Sequence, residues 1–423
     1  MSAPDKTKDM LGRQRLTPVH EALSLLTGNL QNIQRPSERI FLDEALDRIT
    51  AKDIFSPEDL PAHARSTMDG FAVKAADTFG ASQSMPCYLQ LSGEVFMGEN
   101  PLGKVEQGHC FRISTGGLLP VGSDAVVMLE HTIPVDDKMI ELVKSVGAGT
   151  NLIDKGEDIS KGSVALAAGH RIRPQDLGLL AGLGIGEIEV YRQVKVGILS
   201  TGDEIVHWSE NPPAGKIRDI NNITLTGLAR RAGAKVIDYG IVSDREEDFF
   251  PTMLKAIKNN DIVLFSGGSS VGMRDLGEKI IERLGNPGIL VHGVTLKPGK
   301  PIIIGLHNDT PLFGLPGHPV SAMVCFELFV EPAIDLLSGH KKDKKLPQPT
   351  IKAVLERNIN SAAGRLDLVR VRLHEENGVL MAQPVLGKSG SISTLSRAHG
   401  YFFIDESSQG LEKNSEVRVH LLQ

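Results

Sequence analysis

The chain has 423 residues, 41% hydrophobic and 23% charged, more than one core accommodates, which predicts roughly two to four domains. A formal net charge of −6 gives no global basic field and disfavours nucleic acid as a partner, while a local cationic pocket for a small anion stays open. The three cysteines, Cys87, Cys110 and Cys325, form no CxxC pair, so neither a disulfide framework nor a structural zinc is expected. Cys325 lies in an apolar run and reads as a buried, inert thiol. There is no apolar signal core and no long apolar run, so no membrane span is expected and a cytoplasmic location follows by default.

In chain order, residues 1–10 are polar and read as disordered. The spacing of Val19, Leu23, Leu26 and Leu30 predicts a helix, with Thr17 as cap and Pro18 in the first position. A second helical stretch at 42–46 leads to an extended segment at 51–54. Residues 60–73 are a loop around the Asp69-Gly70 turn. Short strands are read at 88–91, 110–113 and 124–129, with the glycine-rich 114–120 between the last two, which makes a small β-rich unit. Residues 156–184 are studded with glycine and end in a short helix opened by Arg173-Pro174-Gln175-Asp176. They are read as rejoining the N-terminal helices, so that the β-rich unit is an insertion.

From Val196 strands and helices alternate. Helices are read at 221–231, capped by Asn221-Asn222-Ile223-Thr224, at 244–259 and at 275–284. Strands are read at 235–239, 261–265, 301–305 and 311–314. A long apolar helix follows at 320–337, kinked or broken by Pro332. This pattern means a mostly parallel, doubly wound sheet. After a basic linker at 340–345, Val369, Val371 and Leu373 alternate with Arg370, Arg372 and His374 as a half-buried strand. Asn377-Gly378 signals a hairpin, and strands at 401–404 and 417–422 complete a small β-barrel or sandwich of about 75 residues.

The turns at the strand ends carry the chemistry. Ser200-Thr201-Gly202-Asp203-Glu204 is either an ordinary turn or a pair of carboxylates holding Mg²⁺ against phosphate oxygens. Gly267-Gly268-Ser269-Ser270 follows a buried strand and lets backbone amides approach an anion. It matches neither a Walker loop nor GxGxxG. Asp275 either caps the next helix or binds metal. Lys297-Pro298-Gly299-Lys300-Pro301 sets two ammonium groups on a stiff turn. Solvated surface lysines are the bland alternative; two preorganised charges suit an oxyanion or phosphate. In Leu315-Pro316-Gly317-His318-Pro319-Val320-Ser321, Pro319 fits a first helical position and the helix N-terminus offers free amides. His318 is assigned no chemistry. Turn geometry explains Asp69-Gly70 and Thr115-Gly116-Gly117 by itself, and no catalytic triad or histidine metal cluster stands out.

In series, the stretches 66–73, 114–128, 156–159, 200–204, 266–275, 297–301, 315–321 and 390–400 resemble the MoeA family of molybdopterin molybdenumtransferases, which includes the E-domain of gephyrin. The match spans nearly the whole chain. The resemblance implies a multidomain, elongated α/β chain. It has a discontinuous linker domain (11–58 plus 157–184), an inserted β-rich domain (59–156), a doubly wound, adenylyltransferase-like domain (185–338) and a C-terminal β-barrel (347–423). It implies a homodimer whose site is shared between subunits. The implied reaction is Mg²⁺-dependent insertion of molybdate into adenylylated molybdopterin, with release of AMP. By motif, catalytic roles carry over to Asp69, Thr115, Glu204, Asp275, Lys297 and Lys300. Substrate contacts carry over to Asp158, Gly267, Gly268, Ser269, Pro316, Pro319, Ser321, Arg365 and Ser393, and metal contacts to Glu204, Asp244 and Asp275. Departures from the family pattern at His318, Arg245 and 392–397 bear on anion selection, not on fold. The alternatives are a molybdopterin adenylyltransferase or nucleotide pyrophosphatase, and a non-catalytic scaffold.

Overall fold

The computed structural model describes residues 16–267, 271–341 and 349–422, with 271–274 by backbone alone. The polar first ten residues, the stretch Gly268-Ser269-Ser270 and the linker residues 342–345 lie outside the described residues.

Helix α1 (Val19–Leu30) buries Ala22, Leu26 and Leu30, four apart on one face. Its cap differs from expectation. Pro18 takes the N-cap position without a side-chain cap bond, because Thr17 is engaged in a β-bridge to Val294. Residues 42–46 yield only a 3-10 turn, Leu42–Glu44, since β1 (Ser37–Phe41) runs straight into it and the Leu42 amide is held by the Gly186 carbonyl.

The β-rich unit is a six-stranded sheet of β2 (Gly70–Val73), β3 (Cys87–Val95), β4 (His109–Ile113), β5 (Ala125–Met128), β6 (Thr132–Asp136) and β7 (Met139–Leu142). Its order is β5-β2-β4-β3-β7-β6, antiparallel except between β3 and β4. Both faces of β2 are covered. Phe71 and Val73 enter one core and Ala72 the other, the two-residue period of a strand. A Cβ on Gly70 would stand 1.9 Å from the Val127 carbonyl oxygen, so only glycine lets β2 lie this close to β5, directly behind Asp69. Helix α2 (Pro174–Gly182) follows, then β8 (Glu187–Tyr191), which pairs antiparallel with β1.

The α/β unit contains β9 (Lys195–Thr201), α3 (Asn221–Arg231), β10 (Lys235–Val242), α4 (Glu246–Asn259), β11 (Ile262–Gly267), α5 (Val271–Leu284), β12 (Pro287–His292), β13 (Leu296–Lys297), β14 (Ile303–His307) and β15 (Thr310–Leu315). The sheet runs β10-β9-β11-β15-β14-β12. The first three pairings are parallel and the last two antiparallel. Every residue of β11 is buried, as a strand covered on both faces requires. Ile262 and Leu264 face a core shared with α1, α3 and the C-terminal helices, while Val263 and Phe265 face α4 and α5. Helix α1 is therefore packed into this core although residues 37–58 follow it in sequence.

The predicted long helix is three pieces: α6 (Pro319–Cys325), a π-helical turn over Phe326–Val330, and α7 (Glu331–Leu337). Proline cannot donate to the carbonyl four residues back, and the wider turn just before Pro332 absorbs that missing bond.

The tail is a closed barrel of β16 (Thr350–Leu355), β17 (Leu366–Glu376), β18 (Val379–Pro384), β19 (Gly400–Ile404) and β20 (Glu416–Leu421). Its order is β17-β18-β16-β20-β19, and β19 pairs back onto β17. Asn377 and Gly378, both at positive φ, make the tight turn between β17 and β18. One strand crosses the boundary: β13, from the α/β unit, adds parallel to β17, with Lys297 opposite Asp367.

Candidate functional site

The connections from β9 and β11 leave on opposite faces, to α3 and α5, so the crevice of this sheet opens between their carboxyl ends. There Thr201 stands in register with Gly267. The Thr201 hydroxyl donates to Asp244 Oδ1 at 2.6 Å. Asp244 can accept it because α4 starts at Glu246, two residues later than predicted. Glu204 folds its carboxylate back over Gly202, within 2.8 Å of where a Cβ there would stand. Asp275 does not cap α5, which begins at Val271; it is half-buried one turn inside. Nor do Asn221 and its neighbours cap α3. The Asp219 carboxylate accepts the Asn222 amide at 3.0 Å, and Asn221 Nδ2 reaches across to the Gly317 carbonyl at 3.0 Å.

The lysine loop is seated from below. Gly299 has φ 128°, and a Cβ on it would stand 2.7 Å from Leu296 and 2.8 Å from Cys325 Sγ. The Cys325 thiol, fully buried and with its pKa pushed up by that burial, donates to the Gly299 carbonyl. Above the loop lies a cleft of about 1000 Å³ between the carboxyl ends of β11 and β15 and the barrel. Lys297, Lys300, Lys388, Arg365 and Arg370 line it, against one carboxylate among the described residues, Asp367. Gly267, Pro316 and Ser321 also line it. A chain of net charge −6 thus concentrates cations in one concavity, an arrangement that attracts a small polyanion.

Two barrel residues organise this wall. Asp367, 4% exposed, accepts Arg365 Nε at 2.7 Å and its terminal nitrogen at 3.3 Å, and faces Lys297 Nζ at 3.5 Å. Arg370 is buried to 8% exposure rather than lying on the solvent side of an alternating strand. It donates to the Thr394 hydroxyl and, at 3.1 Å, to the Gly387 carbonyl. The first two positions of α6 offer no free amide. Pro319 has no N–H, and the Val320 amide donates to the Ser389 carbonyl of the barrel. The Ser389 hydroxyl also meets His318 Nδ1 at 2.7 Å, so His318 ties the two units together.

Other predicted positions lie away from this cleft. Asp69 and Thr115 are brought together elsewhere: both are exposed, and the Thr115 amide and hydroxyl donate to Asp69 Oδ1 at 2.6 and 3.1 Å. Those donors, the amide first, hold the Asp69 carboxyl below the usual aspartate range. Asp158 is exposed in the loop after that sheet. Glu204, Asp244 and Asp275 do not line the cleft. Pro319 is buried in the first turn of α6, and Ser393 is exposed beside Thr394. Gly268 and Ser269 lie outside the described residues. No three His, Cys, Asp or Glu side chains among the described residues are grouped to hold a metal ion. Glu204 and Asp244 are hard oxygen donors at adjacent strand ends, which suits Mg²⁺, an ion that takes one or two carboxylates and completes its shell with phosphate oxygens and water.

Sequence reasoning missed Asp367, Arg370, Lys388 and Asn221. The available signal was Arg365-Leu366-Asp367, opposite charges two apart at the start of a strand, which share one face.

Three family models match the chain in order: the MoeA N-terminal region (domain I and II) at residues 17–184, a probable molybdopterin binding domain at 197–336, and the MoeA C-terminal region (domain IV) at 352–422. A putative molybdopterin biosynthesis protein of Methanocaldococcus jannaschii is 39% identical over 389 residues, covering 90% of this chain and 91% of that protein. The molybdopterin molybdenumtransferase of Haemophilus influenzae is 35% identical over 393 residues, covering 91% and 95%. The crystal structure of a molybdopterin biosynthesis MoeA protein from Pyrococcus horikoshii superposes with a TM-score of 0.83 at 33% identity, covering 96% of this chain and 100% of that one. No helix among the described residues is long and apolar enough to cross a membrane.

Proposed function

The chain belongs to the MoeA family, and from that membership we propose that it is a molybdopterin molybdenumtransferase of molybdenum cofactor biosynthesis, acting on adenylylated molybdopterin and molybdate and releasing AMP. The observation that carries this reading is the cleft, where Lys297, Lys300, Lys388, Arg365 and Arg370 outweigh Asp367, the one carboxylate lining it among the described residues. Both the adenylylated substrate and molybdate are anions, and such a wall suits them.

In this reading Lys297 and Lys300 neutralise the oxyanion, and Arg365 presents its planar fork beside them. Gly267, the last residue of β11 and without a side chain, lets the AMP phosphate approach the backbone closely. Glu204 and Asp244, joined by Asp275, are the residues that would hold Mg²⁺, which when bound supplies charge neutralisation at the phosphoanhydride. Thr201 orients Asp244 through its hydroxyl. The Asp69–Thr115 pair, away from this chain's own cleft, serves the cleft of a second copy in a homodimer, where a carboxylate held ionised by two donors positions the substrate.

The test is molybdate-dependent AMP release from adenylylated molybdopterin. Lys297→Ala is expected to lower kcat/KM by about a hundredfold or more, the order found when one donor to developing charge is removed, with its thermal melt unchanged. Wild-type turnover in that variant removes the lysine from the mechanism. ATP-dependent adenylylation of molybdopterin by the wild-type chain favours the adenylyltransferase alternative instead.

A further inference from the structure

We propose that Asp367 is an exchangeable counter-ion, a positioning residue that holds Lys297 until an oxyanion enters the cleft and then yields it. The inference rests on the reading of the cleft as the oxyanion site.

The backbone register makes the meeting of these groups unavoidable. β13 adds to β17 with Leu296 opposite Leu366 and Lys297 opposite Asp367, and the Leu366 amide is bonded to the Thr295 carbonyl at 2.8 Å. The Asp367 side chain is 6% exposed, so its carboxylate needs charge partners to stay ionised. Its two partners are held unequally. Arg365 takes both oxygens, at 2.7 and 3.3 Å. Lys297 reaches only Oδ2, at 3.5 Å, an oxygen already shared with Arg365, and its side chain is 57% exposed. A short two-point contact and a long one-point contact on the same carboxylate differ in how readily they break, and the lysine is the one that leaves. It is also the chemically suited partner, because an ammonium is a compact charge with three rotatable donors whereas the guanidinium fork is fixed.

Two consequences follow. Without an oxyanion, Asp367 keeps two like charges, Lys297 and Arg365, gathered on one side of the cleft. With an oxyanion bound, the same carboxylate is a like charge near the ligand and weakens its hold. Asp367 therefore limits oxyanion affinity and speeds exchange of bound anions.

The test is equilibrium dialysis of molybdate with the full chain, alongside turnover. Asp367→Asn is expected to tighten molybdate binding about tenfold, the scale of one removed charge at a partly screened site. KM for molybdate should fall with the dissociation constant, and Asp367→Glu should return both toward wild type. In a Lys297→Met background the same Asp367→Asn change should tighten binding clearly less than in the wild type, since only the direct like-charge repulsion is then relieved and no lysine is freed. Looser or unchanged binding by folded Asp367→Asn overturns the proposal, as does equal tightening without the lysine. If Asp367→Asn fails to fold by circular dichroism, the wild-type ammonium resonance of Lys297, assigned with Lys297→Met, decides. It must move on addition of molybdate, and an unmoved resonance overturns the proposal. Absence of molybdate binding by the wild type is a different result, and defeats the reading of the cleft itself.

Discussion

At the scale of single residues, the lysine loop has almost no freedom beneath it. Gly299 sits at φ 128° with Leu296 and Cys325 where a Cβ would go, so a methyl group there must push the loop off its seat. Gly299→Ala is expected to cost roughly 2 kcal/mol from the backbone conformation and the overpacking together. It should lower the melting temperature and weaken molybdate binding, because Lys297 and Lys300 flank the displaced residue. A variant that melts lower yet binds molybdate as wild type separates the loop's seat from the site. The smallness of position 299 was visible in the sequence as part of a Pro-Gly turn. The reason for it, a buried thiol contributed by α6, was not.

At the scale of elements, the start of α2 is held by a compact charged knot. The Asp176 carboxylate accepts the Arg173 amide at 2.8 Å, the Arg173 guanidinium at 2.9 and 3.0 Å, and His170 Nε2 at 2.7 Å. Burial alone pushes this carboxyl up. The bonds from Arg173 and His170 outweigh burial and hold it well below the ordinary value of 3.8. A depressed acid contributes stability that is fully present above its unfolded pKa and is lost as pH falls through the folded one. Asp176→Asn is therefore expected to lower stability by about 1.5–3 kcal/mol at neutral pH, the range for hydrogen bonds to a charged group. The gap to wild type should close as pH drops below the ordinary aspartate range. Melts that stay equally far apart at low pH contradict this account. The Arg-Pro-x-Asp pattern already announced this helix, since it is local, whereas His170 joins through the fold of the preceding loop.

At the scale of the whole molecule, the positions singled out in the sequence fall into separate places in one chain. Lys297, Lys300 and Arg365 share the cleft, Glu204 and Asp244 stand at neighbouring strand ends, and Asp69 with Thr115 lies on another sheet. The proposed reading draws Asp69 and Thr115 from a second copy. Mixing Asp69→Ala with Glu204→Ala subunits should then restore part of the activity that each variant lacks alone, because one of the two clefts in a heterodimer draws both intact residues. Confirmed heterodimers with no recovered activity would put both residues in one chain's site. Size-exclusion chromatography with light scattering of the wild type checks the assembly independently.

What the sequence determined by itself is whatever depends on near neighbours in the chain. The alternation of apolar strands with amphipathic helices specified the doubly wound sheet, because the two- and 3.6-residue periods are local properties. Asn377-Gly378 specified its hairpin, because few residue pairs adopt positive φ twice. The glycine and lysine turns marked the strand ends that border the cationic cleft. What only the tertiary structure decided is which distant groups meet. β13 leaves its own unit to pair with the barrel and sets Lys297 beside Asp367, 70 positions away. Arg370 is drawn inward against Thr394 and Gly387, and the first free amide of α6 is claimed by Ser389. Pairing across units satisfies backbone groups whose partners no local pattern names, and for that reason the wall of cations became legible only once the barrel was in place.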